Sequence, residues 1–440
     1  MLVQFSLNNY LSFKDQNFFS MIATKRRSQS KELDNGAMFS PQSETITAGP
    51  EFKLLKTVAL YGANGSGKSN MVKGLQFLKN MVINSSKETQ FGEDIPVKPF
   101  KFSLGGEERP SEFSITFIVK DVLYQYEMNI NPVEVVSETL QARNLSDGKD
   151  RTLFSRKLHD IKVSKSFREG EKLESKTRKN SLFLSVCANF DGAISTSIVE
   201  WFRKLKIISG VNDTAAYNFT VAKLRDEVWN KKISILLSSF DLGIQKLVPS
   251  EGEATNLTRR PDGTITFVRG SSKLQSFHNR YDEDGRVVDQ VALDLREDES
   301  EGTQKLVALA GPIIDSLDNP NVLVIDEFDS KLHPLICRAI VTIFNSEFNS
   351  KKAQLIVASH DTNILDKAFL RRDQIWLVEK DLFGGSHLHS LVEYKVRNDA
   401  SYELDYFKGK YGGIPITRMV SRESLIDDGR EGATEFDDGE

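Results

Sequence analysis

The sequence lacks the features that anchor, secrete or cross-link a chain. No apolar run in its 440 residues approaches the roughly 20 residues that span a bilayer, which favours a soluble protein with no membrane partner. Its opening, MLVQFSLNNYLSFKD, has no basic start followed by an apolar block, so we expect no secretion signal. Cys187 and Cys337 are its only cysteines, and their wide separation indicates neither a disulfide framework nor a zinc site. These absences together predict a cytoplasmic protein.

An overall excess of positive charge is also missing. The net charge is −4, so composition gives no general reason to expect nucleic-acid binding. Residues 151–180 nevertheless carry ten Lys/Arg against four acids. This stretch is either a solvated hairpin or helix face, or a surface for nucleic acid or an acidic partner. Residues 416–440 are acidic with little apolar area to bury, and we expect a disordered tail there.

Two separated parts of the chain alternate strand-like and helix-like patterns. Apolar runs of strand length occur at 54–61, 321–326, 354–359 and 373–379, and helical spacing follows at 69–81 and 334–348. This alternation predicts an α/β fold with a mixed, mainly parallel sheet covered on both faces. Between the two parts, residues 113–130 alternate as an antiparallel hairpin does, with Lys120 and Asp121 at its turn.

A phosphate-binding loop is the strongest motif. Residues 62–69 read GANGSGKS and satisfy G-x-x-x-x-G-K-[ST] between a strand and a helix. Glycines let successive N–H groups turn toward phosphates, Lys68 reaches the β- and γ-phosphates, and the Ser69 hydroxyl is suited to ligate Mg²⁺. We therefore predict a site for ATP and Mg²⁺. The residues expected to bind the nucleotide are Gly62, Asn64, Gly65, Gly67, Lys68 and Ser69.

Polar side chains also follow two later strands. Asp326 and Glu327 end the run 321–326, where the first carboxylate is suited to hold Mg²⁺ and the second to accept a proton from an attacking water. Acids that simply cap the next helix are the alternative. His360 follows the next strand, and we expect it to contact the γ-phosphate or position the water. Catalytic roles are therefore predicted for Glu327 and His360.

A weaker motif precedes the carboxylate strand. Residues 299–305 read ESEGTQK and lead into an amphipathic stretch at 306–317. A small polar residue and a glycine at a helix start form an anion site, so Ser300 and Gly302 are candidate phosphate contacts. A helix with an ordinary cap remains the alternative reading.

In this order and spacing, the motifs resemble the ABC-type ATPases of the SMC/RecF/OLD group. Within it they are similar to the AAA15/AAA21 ATPases of bacterial antiphage systems, such as the RloA-, PtuA- and AriA-like proteins. The resemblance covers residues 1–82 and about 290–415. The phosphate-binding loop at 62–69 corresponds to the family's Walker A motif, and Asp326 with Glu327 to Walker B. SEGT at 300–303 is similar to the signature, LHP at 332–334 to the D-loop region, and His360 to the switch histidine. The opening FSLNNYLSFKD and the segment YFKGKYGGIP at 406–415 are also similar to family segments.

This resemblance implies a head-to-tail pair of subunits. ATP would be held by Walker A of one copy and by Ser300 and Gly302 of another, giving a homodimer or a higher homo-oligomer. The signature departs from the transporter pattern at Glu301, which stands where transporters carry glycine. Gln90 is the candidate for the Q-loop glutamine, whose position stays open.

The same resemblance suggests a biological role. It implies an ATP-hydrolysing sensor and scaffold that controls a separately encoded toxin or nuclease, for example a TOPRIM or HNH protein, with nucleic acid or a phage protein as the trigger. A RecF-like ATPase that clamps DNA is the alternative, and a scaffold with little turnover is a third reading. SMC or Rad50 proteins need long heptad arms, which this sequence lacks. An OLD nuclease needs a TOPRIM domain beyond residue 415, where only the acidic tail follows.

The motifs and composition divide the chain into four expected parts. These are an N-terminal ATPase half with Walker A and the hairpin at 1–150, an inserted basic and mainly helical subdomain at 151–290, a C-terminal ATPase half at 291–415, and the acidic tail at 416–440.

Overall fold

A computed structural model describes most of the chain outside the acidic tail. The described residues are 1–24, 45–47, 52–88, 90, 92–146, 148–210, 213–249, 256–259, 265–268, 273–396 and 401–414. The expected disordered tail at 416–440 lies outside them.

Strands and helices are numbered in chain order. The strands are β1 Leu2–Asn8, β2 Asn17–Ser20, β3 Thr45–Thr47, β4 Lys53–Leu55, β5 Thr57–Tyr61, β6 Ser111–Val119, β7 Val122–Ile130, β8 Val135–Asn144, β9 Asp150–Lys157, β10 Asp160–Val163, β11 Lys206–Ser209, β12 Ile244–Pro249, β13 Asn256–Arg259, β14 Ile265–Val268, β15 Leu274–Tyr281, β16 Val287–Asp294, β17 Val322–Asp326, β18 Gln354–Ala358, β19 Ile375–Lys380 and β20 Ser386–Ser390. The helices are α1 Lys68–Asn84, α2 Phe183–Asn189, α3 Ala193–Lys204, α4 Thr214–Lys223, α5 Glu227–Ser238, α6 Glu301–Asp318, α7 Pro334–Asn345 and α8 Tyr402–Phe407.

A mainly parallel sheet carries the glycine loop. Its strand order is β11-β17-β18-β5-β19-β20, and β20 alone among these strands runs antiparallel to its neighbour. Side chains of each inner strand enter two cores in alternation. In β17, Val322 and Val324 face one core, while Leu323 and Ile325 face the other. Burial on both faces explains why these strands are continuous apolar runs in the sequence.

A second, antiparallel sheet packs over one of these cores. Its order is β10-β9-β8-β7-β6-β1-β2. The predicted hairpin is confirmed as β6 and β7, which pair from Ser111 with Ile130 to Val119 with Val122. Lys120 and Asp121 form its turn with φ of 48° and 63°, as a two-residue hairpin turn requires. The expected α/β fold with a mixed, mainly parallel sheet and an antiparallel β subdomain is thus confirmed.

The segment 151–290 joins several layers of the fold. β9 and β10 extend the antiparallel sheet, α2 and α3 contact α1, and β11 is an edge strand of the parallel sheet. α4 and α5 contact α6, and β12, β15 and β16 form a separate sheet. This differs from the expected single, mainly helical insertion. The physical reason is that short apolar pairs such as Leu153 and Phe154 enter the core between charged residues, so charge density does not mark a domain boundary.

The basic stretch contains both a buried and several exposed cations. Its first part is the β9–β10 hairpin, as one reading of the sequence expected. Arg156 is 3% exposed and donates to the carbonyl oxygens of Leu158 and Ser181. Arg156 therefore stabilises the fold and does not belong to an exposed basic surface. The exposed cations are Arg151, Lys157, Lys162, Lys165, Arg168, Lys172 and Lys176.

Candidate functional site

The glycine loop links β5 to α1 and is shaped by close contacts. A side chain at Gly62 would place its Cβ 2.1 Å from the Val378 carbonyl oxygen, and one at Gly67 would place it 2.3 Å from Ser386 Oγ. Only glycine fits these positions. No side chain among the described residues caps α1 at Gly67, so the first N–H groups of the helix are available to an anion.

Lys68 begins α1 and folds back over the loop. Its Nζ donates to the carbonyl oxygens of Gly62 at 2.8 Å and Ala63 at 3.1 Å. Burial lowers the pKa of Lys68 to about 8, and the nearby carboxylates of Asp326 and Asp329 oppose that shift. The ammonium is therefore held by neutral oxygens and lacks a direct carboxylate partner among the described residues.

Ser69 and Asp326 meet across the two halves of the sequence. Ser69 Oγ donates to Asp326 Oδ1 at 3.1 Å, and the same oxygen accepts the Glu327 N–H at 3.1 Å. A hydroxyl beside a carboxylate is the oxygen pair that Mg²⁺ takes from proteins when phosphates and waters supply its other ligands. The described residues contain no group of three His, Cys, Asp or Glu that could cage a metal alone. The donor set therefore fits a magnesium ion that arrives with a nucleotide.

Glu327 occupies a special backbone conformation. Its φ is +48°, which non-glycine residues rarely adopt. Gly210, directly after β11, lies against this turn: its N–H donates to Asp326 O at 2.7 Å, and a Cβ there would come within 2.2 Å of Glu327 O. The fold thus constrains the backbone that presents the second carboxylate.

His360 follows β18 and faces Lys68. Its ring nitrogen Nδ1 lies 3.4 Å from Lys68 Nζ. The backbone N–H of His360 donates to Asp329 Oδ1 at 3.1 Å. Burial, and then the charge of Lys68, lower the pKa of His360. The imidazole is therefore kept neutral at physiological pH, with a ring nitrogen able to accept a proton.

These groups surround one open cavity of about 470 Å³. It lies where β5, β17 and β18 end, because parallel strands bring their carboxyl ends to one edge of the sheet. Ser66, in the same loop but not in the cavity lining, has a buried hydroxyl without a hydrogen-bond partner among the described residues. The lining residues are Asn64, Gly65, Gly67, Lys68, Ser69, Asn70, Glu327, Asp329, Ser330 and His360.

The predicted signature residues lie at the start of α6. Ser300 caps this helix, with its Oγ accepting the Thr303 N–H at 3.1 Å. Gly302 packs so closely that a Cβ would lie 2.7 Å from Lys331 O. Among the residues that the structure describes around the cavity, Ser300 and Gly302 do not appear. The chain therefore brings the predicted Walker A, Walker B and His360 together, but leaves the predicted signature residues outside the cavity.

A family profile described as "AAA domain, putative AbiEii toxin, Type IV TA system" matches residues 58–366. This range runs from the strand before the glycine loop to just beyond His360. The chain belongs to this family. The expected membership of the ABC-type AAA21 ATPases is confirmed at that level.

Solved structures of low sequence identity are similar to this family member along most of its length. A crystal structure of an Smc head bound to the C-winged helix domain of ScpA has a TM-score of 0.45 and 14% identity, covering 88% of this chain and 97% of that one. The SMC head domain from Thermotoga maritima has a TM-score of 0.40 and 15% identity, covering 90% and 99%. An Smc head from Pyrococcus furiosus bound to the C-terminal domain of ScpA has a TM-score of 0.39 and 11% identity, covering 88% and 96%. No curated protein matches the chain. Over the described residues, none of the helices combines the length and apolar character needed to cross a bilayer.

Other predicted segments of this AAA-domain protein have distinct positions. Gln90, the Q-loop candidate, is exposed and lies beyond the far end of α1, whose 17 residues span about 25 Å. It does not line the cavity. His333 caps α7 by accepting the Leu335 N–H at Nδ1, 3.2 Å away. In the closing motif, Tyr406 Oη donates to Gly413 O at 3.0 Å, beside the phosphate loop.

Several residues of the site carry no recognisable sequence signal. Asp329 lines the cavity and fixes His360, yet it stands in a turn with no motif of its own. Ser12 and Ser386 lie far apart in sequence but meet at 2.7 Å under the loop, and Asn70 Nδ2 donates to Ser12 Oγ at 2.8 Å. Lys305 stands at the end of the ESEGTQK segment, where nothing in the motif assigns it a task. Tertiary pairing alone reveals these roles.

Proposed function

We propose that this chain binds ATP with Mg²⁺ and hydrolyses it to ADP and phosphate. One observation carries the proposal: Lys68, the Ser69–Asp326 pair, Glu327 and His360 converge on one cavity at the carboxyl edge of the parallel sheet. They come from three separate strand ends, and each has the chemistry that phosphoryl transfer to water requires.

Each residue has a distinct role in this proposal. The loop N–H groups and Lys68 bind the phosphates, and Ser69 with Asp326 holds the metal, which supplies neutralisation of phosphate charge when bound. Glu327 accepts the proton of the attacking water. His360, kept neutral, donates its ring N–H to the γ-phosphate, where it distinguishes triphosphate from diphosphate.

The proposal includes a second copy of the chain. In one copy the helix start at Ser300 and Gly302 stands outside the cavity, and the Ser300 side chain caps it. In this proposal the N–H groups that the cap leaves open bind an anion. A head-to-tail homodimer would bring the helix start of the partner to the γ-phosphate. ATP binding would then close the dimer, and hydrolysis would reopen it.

Such a nucleotide-dependent dimer is suited to control another protein. We propose that the chain acts as an ATP-driven sensor and scaffold in a bacterial defence system, with a separately encoded toxin or nuclease as its effector. Support for a toxin-linked role comes from the family, whose description names a putative AbiEii toxin of a type IV TA system. That description assigns no separate effector, which is what the resemblance to the antiphage ATPases implies. The chain itself supplies an ATP site, and the chemistry of an effector would come from its partner.

The test is to measure ATP hydrolysis and dimerisation by the purified full-length chain and by Glu327→Gln. We expect slow, Mg²⁺-dependent hydrolysis by the wild type and an ATP-dependent dimer that accumulates in the variant. Absence of ATP binding in folded protein would overturn the enzymatic proposal. Co-expression with the neighbouring gene product then tests effector control, which fails if ATP-site variants leave toxicity unchanged.

A further inference from the structure

Lys305 is a buried lysine whose ammonium binds only backbone oxygens among the described contacts. It lies one turn into α6 and is 2% exposed. Its Nζ donates to the carbonyl oxygens of Glu327 at 2.9 Å, Phe328 at 3.2 Å and Ser330 at 2.5 Å. Three acceptors match the three protons of an ammonium group.

A buried ammonium has a free-energy cost that these contacts must offset. Burial lowers the pKa of Lys305, and no carboxylate forms an ion pair with it in the described part of the chain. A methionine would fill the same space without desolvating a charge. The reason for a lysine at this position is therefore that its ammonium binds and fixes the turn at 327–330.

This turn carries much of the catalytic edge of the cavity. Glu327 begins it with φ of +48°, and the Ser330 N–H donates back to Glu327 O at 3.1 Å. Asp329 accepts the N–H of His360, and Glu327, Asp329 and Ser330 all line the cavity. A shift of this turn would move the carboxylate of Glu327 and the backbone of His360 together.

Two further contacts join the same turn to the start of α6. Glu301 and Lys331 form an ion pair at 3.2 Å, and Gly302 leaves no room for a side chain beside Lys331 O. The first turns of α6 and the segment 327–331 are thus fastened at three points. Of these, the Lys305 contact is the buried one.

We propose that Lys305 is a positioning residue that couples the start of α6 to the Glu327 carboxylate. This rests on the proposed function, in which the start of α6 binds the γ-phosphate held by the partner copy. A phosphate bound there would pull on α6, and Lys305 would pass that displacement to the turn of its own site. Each site of the dimer would then become competent when the other holds ATP.

Lys56 supplies a matched control. It is also a buried lysine, 6% exposed, and its Nζ donates to the carbonyl oxygens of Asn345 at 3.4 Å and Ser346 at 2.9 Å. These oxygens lie at the C-terminal end of α7, outside the nucleotide cavity. Lys56→Met and Lys305→Met therefore each remove a buried ammonium that donates to backbone oxygens, in two different places.

The experiment compares both variants with the wild type in the full-length protein. For Lys305→Met we expect ATP affinity within about threefold of wild type, since Walker A is untouched, and a kcat about 10- to 100-fold lower at similar KM, because small displacements of catalytic groups have effects of this size. Amide hydrogen exchange at 327–332 should accelerate in Lys305→Met. Lys56→Met should show neither the lower kcat nor the faster exchange, even if its melting temperature falls as much as that of Lys305→Met.

The outcomes separate this inference from the proposed function. If the wild type hydrolyses ATP and Lys305→Met matches Lys56→Met in kcat and in exchange at 327–332, the coupling role is overturned while the ATPase stands. If the wild type hydrolyses no ATP, the proposed function fails. Amide hydrogen exchange at 327–332 then becomes the only test of whether Lys305 stabilises the turn. Unchanged exchange in Lys305→Met would overturn that role too.

Discussion

The ammonium of Lys68 lies 3.4 Å from Nδ1 of His360, joining the phosphate loop after β5 to the end of the neighbouring strand β18. Since the pKa of His360 is lowered, its ring is neutral at neutral pH, and the tautomer with an unprotonated Nδ1 accepts a hydrogen bond from Lys68. A γ-phosphate entering the cavity would compete with this acceptor and with the loop carbonyls. Nucleotide binding is therefore expected to rearrange Lys68 and His360 together.

Lys68→Ala should abolish productive ATP binding. The substitution removes the mobile cation of the loop and leaves both hydrophobic cores untouched. Nucleotide affinity, measured on protein whose folding is checked by circular dichroism, should fall at least about a hundredfold, as expected for losing a charged contact of about 3 kcal/mol. Lys73→Ala, on the exposed face of the same helix, is the control and should bind normally. Unchanged affinity in Lys68→Ala would remove the Walker A assignment.

Affinity for ATP should also fall as pH rises through the range above about 8. Burial holds the pKa of Lys68 near 8 in the protein alone. Bound phosphates favour the charged form and raise that pKa, so binding takes up a proton between the two values. The dissociation constant should then increase by at most about tenfold per pH unit.

Calorimetry at about pH 8.5 in two buffers of different ionisation enthalpy measures this proton uptake. His360 is neutral at that pH before ATP arrives, because its pKa is lowered in the protein alone. Equal binding heats in the two buffers would show that Lys68 is already fully protonated before ATP arrives.

Glu327→Gln should bind ATP with Mg²⁺ and hydrolyse it at least about a hundredfold more slowly, since loss of a general base commonly has effects of 10²–10⁴. Asp326→Asn should instead weaken Mg²⁺ binding, so that hydrolysis requires a higher Mg²⁺ concentration, because Asp326 is the carboxylate that meets Ser69. The two variants are compared by single-turnover hydrolysis at several Mg²⁺ concentrations. Should Asp326→Asn trap ATP while Glu327→Gln stays active, the roles of the two acids are reversed.

The convergence of the candidate residues at one sheet edge could be predicted from the sequence because they sit at the ends of apolar strands. Buried parallel strands are continuous apolar runs, so the pattern of these runs alone places Asp326 and His360 at one sheet edge. Walker A is a contiguous motif with a known geometry. Lys305 and Asp329 could not be found in this way, since their roles arise from contacts with turns that no periodic pattern marks.

The basic stretch shows the opposite limit. A count of charges treats Arg156 like its neighbours, yet it is buried and lies 3.7 Å from the fully buried Glu138. That carboxylate also accepts the Tyr126 hydroxyl at 2.9 Å and the N–H groups of Phe183 and Leu184. Such a cluster forms only after β7, β8, β9 and α2 have come together, so its residues are indistinguishable in sequence from surface charges.

Glu138→Ala should therefore destabilise the fold strongly. It leaves the Arg156 guanidinium without its carboxylate and removes an acceptor from two N–H groups at the start of α2. Removing one partner of a buried pair commonly lowers the free energy of unfolding by about 3–5 kcal/mol. Denaturant unfolding measures this loss. Glu127→Ala, at an exposed position of β7, is the control, and equal stability of the two variants would contradict the structural role.

The proposed sharing of the site between two copies can be tested at the cap of α6. Gly302 is unsuitable, because any side chain there would displace Lys331. Ser300→Asp is sharper: aspartate is as good a helix cap as serine, but its charge would repel a γ-phosphate brought by the partner copy. Ser300→Asn, a neutral cap of the same shape, is the matched control. We expect Ser300→Asp to bind ATP and lose hydrolysis at least about tenfold, from repulsion of roughly 1.4 kcal/mol or more, while Ser300→Asn loses less.

Mixing Ser300→Asp with Lys68→Ala then decides whether the site is shared. In a mixed dimer, one composite site has an intact Walker A from the first variant and an intact α6 start from the second, whereas the other site carries both lesions. Sharing alone predicts that hydrolysis rises on mixing above the reduced rate of Ser300→Asp, since Lys68→Ala contributes none. The coupling through Lys305 predicts no rise, because the second site cannot hold ATP. If mixed dimers form and hydrolysis does not rise, either each site is built within one copy or both sites must hold ATP together. A covalently linked dimer with one intact site separates these cases, because the coupling through Lys305 predicts that occupancy of the second site, even without hydrolysis there, restores the first.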